Sequence, residues 1–332
     1  ASHLVEDLPK QAFGIIYDLV INKKINLHLP KLFASFGIAC AGVSAFFALY
    51  FVLNSRERVS QSIRQPSVKH CFKAILNNRP MLTYLASSFL SGFSIGKSRT
   101  NFYIDVIGSI TWKTIVGIPA FPVKFISYSF VEPLRRRFST KALWIFEDAW
   151  TDMLWLTVFG IGSINGNFKK KGVILPVMAI EEILEMCVYG LRRVIPAEIK
   201  NEALDYCEWK HGYRSEAMTG VSMDLIGKLQ NAVMSGVNNI VMGKIGYIQG
   251  REIGTQTDKT KWWIFALGTG IPIISSALGI VPKFFYPLSA ENRTKMYEDL
   301  TERRIAMAEF MKTASNEEIE QKGKEQLQGK FD

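Results

Sequence analysis

Histidine is scarce in this chain. His3, His28, His70 and His211 are the four among 332 residues, and all lie outside the apolar runs. No His, Cys or Ser constellation has catalytic spacing, so an enzyme is not the expected reading. Cysteine is equally sparse. Cys40, Cys71, Cys187 and Cys207 show no paired spacing, which implies neither a disulfide framework nor a zinc site. No cofactor is implied beyond a coupling ion discussed below. No secretory leader is visible and the chain opens on Ala rather than Met, so an upstream part is expected.

Charge is absent from two long stretches. "LFASFGIACAGVSAFFALYFVL" (Leu32 to Leu53) carries none over about 20 residues, the length a helix needs to cross the hydrocarbon core. "WWIFALGTGIPIISSALGIV" (Trp262 to Val281) is a second such run, with a Trp pair where an aromatic belt would lie. A buried core helix of that length rarely lacks a polar face. The chain is 48% hydrophobic with 22 Phe, 11 Tyr and 7 Trp. These features predict an all-α membrane protein. The net charge of +10 would suggest nucleic acid in a soluble protein. Here the basic residues fall mostly between apolar runs, as cytoplasmic loops require, so a lipid bilayer and no nucleic acid is the expected partner. The mean hydropathy of +0.09 is low for such a protein. Long loops and a polar tail after Pro287 account for part of this.

The apolar pattern predicts seven helices, at 32–53, 81–107, 112–131, 142–162, 173–193, 217–245 and 262–285. The loop after the first carries Arg56, Arg58, Arg64, Lys69, Lys73 and Arg79 and is assigned to the cytoplasm. Alternation then puts "EPLRRRFSTK" and the 194–216 segment inside. "FKKKG" falls outside, against the trend. Residues 1–31 are outside, with "QAFGIIYDLVI" too short to span and suited to an amphipathic piece. The tail from Ser289 has helical spacing and lies inside. Pro119, Pro122, Pro272 and Pro282 sit within spans, where they mark bends, static or moving.

Charges recur near one depth. At about 1.5 Å per residue from each helix edge, Lys228 lies roughly 16 Å deep and Asp224 roughly 10 Å. Lys124, Asp152 and the cluster Glu181, Glu182 and Glu185 fall roughly 15–18 Å deep on other helices. An isolated charge at the bilayer centre costs at least about 2.5–3.5 kcal/mol. Mixed signs at one depth therefore predict a polar cavity between helices, the geometry of a transport pathway. Glu181 and Glu185 share a helix face, whereas Glu182 lies about 100° around. Competing readings are bland. Lys124 can snorkel, as can Lys97 and Arg99 near the outer edge. Glu147 and Asp148 sit near the inner edge and are read as solvated. Asp224 and Lys228, four apart, can simply pair within their helix.

"PAEIKNEALDYCEWKHGYRSEA" (Pro196 to Ala217) joins two predicted spans on the cytoplasmic side. Its acids and bases alternate, which suits a loop that exchanges salt bridges between two conformations, or a merely solvated one. Glu202, Asp205, Tyr206, Glu208, Lys210, Gly212, Arg214 and Glu216 resemble the signature of the glycoside–pentoside–hexuronide:cation symporters, the melibiose-permease-like branch of the major facilitator superfamily. Lys228, twelve residues beyond Glu216, matches that family's functional lysine on the eleventh helix. "SRERV" with "LNNRP", "EPLRRRFSTKALWI" and "FFYPLSAENRTKMYEDLTERR" give weaker matches.

The resemblance implies a twelve-helix transporter, with the seven helices here as six to twelve and an N-terminal bundle missing. It divides the chain into an extracytoplasmic segment (1–31), the last helix of the N-terminal bundle (32–53), a central cytoplasmic loop (54–80), a C-terminal six-helix bundle (81–288) and a cytoplasmic tail (289–332). It implies a sugar or glycoside substrate, a sodium ion or proton as coupling cation, alternating access, and a bacterial plasma membrane. The family's cation-binding acids lie on the early helices and have no counterpart here. Asp224 stands where the family pattern has a neutral or hydroxyl residue, and the tenth helix is unusually acidic. Lys228 leads the expected cavity, followed by Asp224, Glu185, Glu181, Asp152 and Lys124. The gating loop comprises Glu202, Asp205, Tyr206, Glu208, Lys210, Arg214 and Glu216. A lipid or other amphiphile as substrate, or a non-transporting scaffold, is the alternative. An aromatic platform in the cavity favours sugar and a side opening lined with Leu and Phe favours lipid.

Overall fold

The computed structural model describes residues 2–21, 24–54, 73–93, 99–214, 216–315, 317, 318 and 321. Its regular structure, among the described residues, is entirely helical. Helix α1 (Ser2–Ile21) packs on α2 (Leu29–Asn54) and on α5 (Thr111–Gly117). Helix α3 (Arg79–Ser91) is followed by α4 (Arg99–Phe102), which runs into a π-helical turn, Tyr103–Ile107. Helices α6 (Ala120–Ile126) and α7 (Val131–Arg137) flank a 3₁₀ turn. Then come α8 (Thr140–Ser163), α9 (Lys171–Cys187), α10 (Tyr189–His211), α11 (Glu216–Lys244), α12 (Asp258–Thr269), α13 (Ile271–Lys283) and α14 (Ala290–Thr313).

Local chemistry starts several of these helices. Ser139, Thr257 and Ser289 cap α8, α12 and α14, each side chain accepting from a backbone N–H three residues on. Asn78 caps α3 by accepting from Met81 N at 3.0 Å, and its amide donates 2.7 Å to Ala203 O, so one side chain both starts α3 and seats it on α10.

By length and apolarity, α2 and the Asp258–Lys283 run can each cross a membrane among the described residues. The bent pair Thr111–Gly117 and Ala120–Arg137, with 45° between its halves, is a third if it acts as one span. Helix α2 is exposed along nearly its whole length, with Leu32 its one buried side chain. Such a surface is stable against acyl chains and not against water.

Two predicted spans are interrupted or bent. The 81–107 span leaves the helix after Ser91, at Gly92 and Phe93, and residues 94–98 lie outside the described ones. The 112–131 span bends beside Pro119, which has no N–H for the ladder. The 262–285 run keeps right-handed helical backbone at Gly270 and stays one span, and a Cβ there would come within 2.8 Å of the Phe159 ring. The predicted 194–216 loop is also corrected. It is helix α10 as far as His211, closed by Gly212 at φ 81°. Its buried face includes Ile195, Ile199, Glu202 and Ala203, a helical spacing whose acidic member hid the pattern. Residues 55–72 of the predicted central loop lie outside the described residues.

Helix α8 is central, packing on α9, α10, α12 and α13. Leu143 and Trp144 near its start join Leu191, Ile195, Ile199 and Tyr286 in one apolar cluster. Val158 near its end joins Phe102, Ile174, Met178 and Phe265 in another. Gly190 lets α10 approach the preceding chain: a Cβ there would meet Ser127 O at 2.8 Å and Tyr128 Cα at 2.9 Å.

A candidate site of buried charges beside a cavity

Between its two apolar ends α8 carries Glu147, Asp148, Thr151, Asp152 and Trp155. Neighbouring helices answer these groups. Arg99, first residue of α4, lies 2.9 Å from Glu181, 3.5 Å from Glu182 and 3.8 Å from Glu185. Arg192 of α10 lies 2.6 Å from Glu185 and 3.7 Å from Glu147. Lys283, last residue of α13, lies 4.0 Å from Glu147 and 2.5 Å from Asp148. Five carboxylates and three cations thus form one connected chain across α4, α9, α10, α8 and α13. Trp155 supports it twice: its indole N–H donates to Glu185 at 3.1 Å, and Arg99 stacks 4.5 Å from its ring. Lys283 stacks likewise on Trp144 at 4.6 Å. Glu181, Glu182 and Glu185 hold carboxylate oxygens within 4.8 Å of one another, with the Arg99 guanidinium as the cation among them.

A cavity of about 360 Å³ adjoins this chain. Arg99, Tyr103, Lys124, Glu182, Tyr189 and Arg193 are among its lining, and α1 contributes Gly14. Lys124 is buried, 4.5 Å from the Tyr189 ring. Above it Asp18 of α1 accepts from Thr111 N at 2.7 Å, Thr111 Oγ1 at 2.6 Å and Ser109 Oγ at 2.5 Å, fastening α1 to the start of α5.

A second ionic cluster ties α10 to α14. Arg293 lies 2.8 Å from Glu202, which also accepts from Tyr286 OH at 3.1 Å. Arg304 bridges Asp205 at 3.1 Å and Glu208 at 2.5 Å. Arg214 reaches Asp205 at 3.1 Å and Glu216 at 3.0 Å. The Trp209 indole donates 2.8 Å to Asp299, and Arg303 donates to Trp209 O at 2.9 Å. The Glu208 carboxylate raises the Arg304 pKa. Burial raises that of Glu202, opposed by Arg293. Burial, with Asp205 and Glu202 adding to it, pushes the Tyr297 hydroxyl up to about 12.

The predicted site residues divide three ways. Glu181 and Glu185 meet in the buried chain; Lys124 joins the cavity; Asp152 is half-buried on α8. Asp224 and Lys228 do not join them. Both are exposed on α11, and no ion pair links them among the described residues. Helix α11 meets α3 through Gln230, whose amide donates to Ser88 O at 3.0 Å and Phe89 O at 2.6 Å, and through Met223 and Ile226, which pack on the cluster holding Met81 and Leu85. The acids of the predicted gating loop are present but helical, and their partners are mostly arginines of α14. Tyr206 carries Lys210 5.5 Å from its ring.

Two assignments change sign. Arg99 does not snorkel outward: its side chain is 16% exposed and turned onto glutamates. Glu147 is not solvated: it is 2% exposed, with Lys283 and Arg192 near it. Lys97 lies outside the described residues. Arg192, Lys283, Arg293 and Arg304 were not singled out from sequence. The available signal was Lys283 itself, a charge inside a predicted span that needs a partner.

An all-helical membrane protein whose interior carries a paired layer of charge beside a cavity is built like a carrier rather than an enzyme. The chain belongs to the MFS/sugar transport protein family, whose model matches residues 13–290. It is 22% identical over 272 residues to the uncharacterized symporter YjmB of Bacillus subtilis (strain 168), covering 79% of this chain and 55% of that protein. It is also 22% identical over 292 residues to a putative sulfoquinovose importer of Salmonella typhimurium (strain LT2), covering 83% and 58%. The chain thus spans a little over half the length of these relatives.

Proposed function

We propose that this chain is part of a secondary active transporter of the bacterial plasma membrane, a sugar:cation symporter working by alternating access. The observation that carries the reading is the ion-pair chain across five helices, buried beside a cavity of about 360 Å³. A structure needing only to pack in lipid gains little from such a chain, because apolar residues of similar volume pack as well or better. A carrier uses it: polar groups near the midplane line a path, and alternative pairings give two states of comparable energy.

The fold supplies moving parts for this reading. The bent span beside the cavity gives a hinge at Pro119, between the lining residues Gly117 and Ala120. The α10–α14 cluster ties the cytoplasmic ends together through pairs that can open and reform. On the other side of the membrane, hydrogen bonds accepted by Asp18 fasten α1 to α5. Lys228 and Asp224 face away from the rest of the chain. In this reading a further bundle packs against α11, and Lys228 serves that interface. What supports sugar over an amphiphile is the pair of rings of Tyr103 and Tyr189 beside Arg99, Lys124 and Glu182 in the lining.

The test is uptake by the full-length protein in proteoliposomes, over a panel of sugars, with an imposed sodium gradient, a proton gradient or neither. Gradient-driven accumulation of one sugar supports the reading. Uptake of lysolipid with no sugar uptake replaces it with the amphiphile alternative.

A further inference from the structure

Three arginines and a lysine crowd the turn between α7 and α8. Arg135, Arg136 and Arg137 form the last turn of α7, and Lys141 is the second residue of α8. Cations suit a helix C-terminus, where unbonded carbonyls leave partial negative charge. The acids at hand are fewer. Glu198 takes Arg135, and Glu132 takes Arg136 at 3.0 Å. Arg137 and Lys141 pair with no carboxylate among the described residues. Lys141 nonetheless has a fixed position. Its ammonium donates 2.5 Å to Phe284 O, just past the end of α13. One of its three protons is used there and two remain. The orientation assigned from the basic loops makes this the cytoplasmic end of both helices.

The surroundings of these two cations are apolar and open. Phe138, Phe284 and Phe285 are exposed, the last to 75%. Down α13, Ile274, Leu278 and Val281 are exposed at spacings of four and three, so they form one stripe along the helix, and Phe285 follows it. Such a stripe belongs against acyl chains. A basic turn by itself needs no ligand, since positive charge holds a loop in the cytoplasm whatever it touches. Here two cations without acidic partners stand at the end of an apolar stripe. That combination suits a phosphate ester carried on acyl chains. The phosphate oxygens accept, the two side chains only donate, and bonds to an ionised acceptor are the stronger kind. A soluble anion leaves the stripe unused, and a lipid without net charge leaves the cations unbalanced.

We propose that this turn binds an anionic phospholipid of the cytoplasmic leaflet, with Arg137 and Lys141 on its headgroup phosphate and the α13 stripe against its chains. The site is separate from the cavity and does not depend on what the protein carries. It is tested by native mass spectrometry of the purified full-length protein with phosphatidylglycerol and phosphatidylethanolamine of the same acyl chains. Phosphatidylglycerol should bind the more tightly. Arg137→Gln and Lys141→Gln should each weaken it about fivefold, the usual attraction of one lysine or arginine to an anionic membrane surface. The double variant should bind the two lipids alike. Lys141→Arg should keep most of the preference, and Arg137→Gln, at an exposed position, gives an independent reading should Lys141→Gln misfold. Lys171→Gln, an exposed lysine at the start of α9 on the opposite side, should change nothing. Equal binding of the two lipids by the parent, a preference that survives the double variant, or one that Lys171→Gln lowers as much, overturns the inference. So does displacement of phosphatidylglycerol by an equal concentration of inorganic phosphate, which would make the ligand a soluble anion.

Discussion

Replacing Arg99 by Met should destabilise the protein by about 3–5 kcal/mol, the usual cost of removing one partner from a buried ion pair. Its three carboxylate neighbours do not share that loss equally. Glu185 keeps Arg192 at 2.6 Å and the Trp155 indole at 3.1 Å. Glu182 is about one-third exposed and can recruit water. Glu181 is 3% exposed and its ion-pair partner is Arg99, so most of the cost falls there. A second substitution, Glu181→Gln, removes the stranded charge. The double variant should recover much of the loss, with a coupling of about 2 kcal/mol, within the 0.5–3 kcal/mol seen for residues in one network. The assay is unfolding of the full-length protein from mixed micelles, followed by tryptophan emission. Trp155, 4.5 Å from the Arg99 guanidinium, reports locally. Effects of the two substitutions that simply add, to within about 0.5 kcal/mol, would refute the pairing argument.

Other outcomes follow from the same geometry. Gly190→Ala puts a methyl group 2.8 Å from Ser127 O, backbone that cannot swing aside, and should cost about 1–3 kcal/mol as overpacking, read as a lower unfolding midpoint. The α10–α14 cluster should weaken in strong alkali. The Tyr297 hydroxyl is held near 12 against an ordinary value of 10, so its contribution is complete below 10 and lost as pH climbs through 12. Ultraviolet titration should lose the ionisation near pH 12 in Tyr297→Phe, and persistence of that step in the variant would assign it elsewhere. Lys228→Ala should reduce gradient-driven uptake by the full-length protein, since this exposed lysine is assigned to the interface with a further bundle. Unchanged uptake would remove Lys228 from the pathway.

Some of this molecule was legible residue by residue. The equal spacing of Glu181 and Glu185 placed them on one face, and they do meet a common cation. Arg99 was misjudged because depth was counted along a continuous 81–107 helix, whereas the helix that begins at Arg79 ends at Ser91. Glu147 looked solvated because distance from a helix end is a poor guide to burial when two other helices bring Arg192 and Lys283 to the same spot. The 194–216 segment looked like a loop because dense charge usually marks solvent. Nothing within it reveals that Arg293 and Arg304, about 90 residues on, neutralise its acids and let it stay helical.

The membrane class, the helical content and the shared face of Glu181 and Glu185 came from the amino-acid order alone. Transfer of a side chain into lipid is a local and nearly additive free energy, so a run of twenty letters already carries it. Which charge answers which, where helices break, and whether a lysine looks into the bundle or away from it were decided by tertiary packing. Those depend on which helices become neighbours, and a coulombic pair acts only over the few ångströms that the fold alone closes.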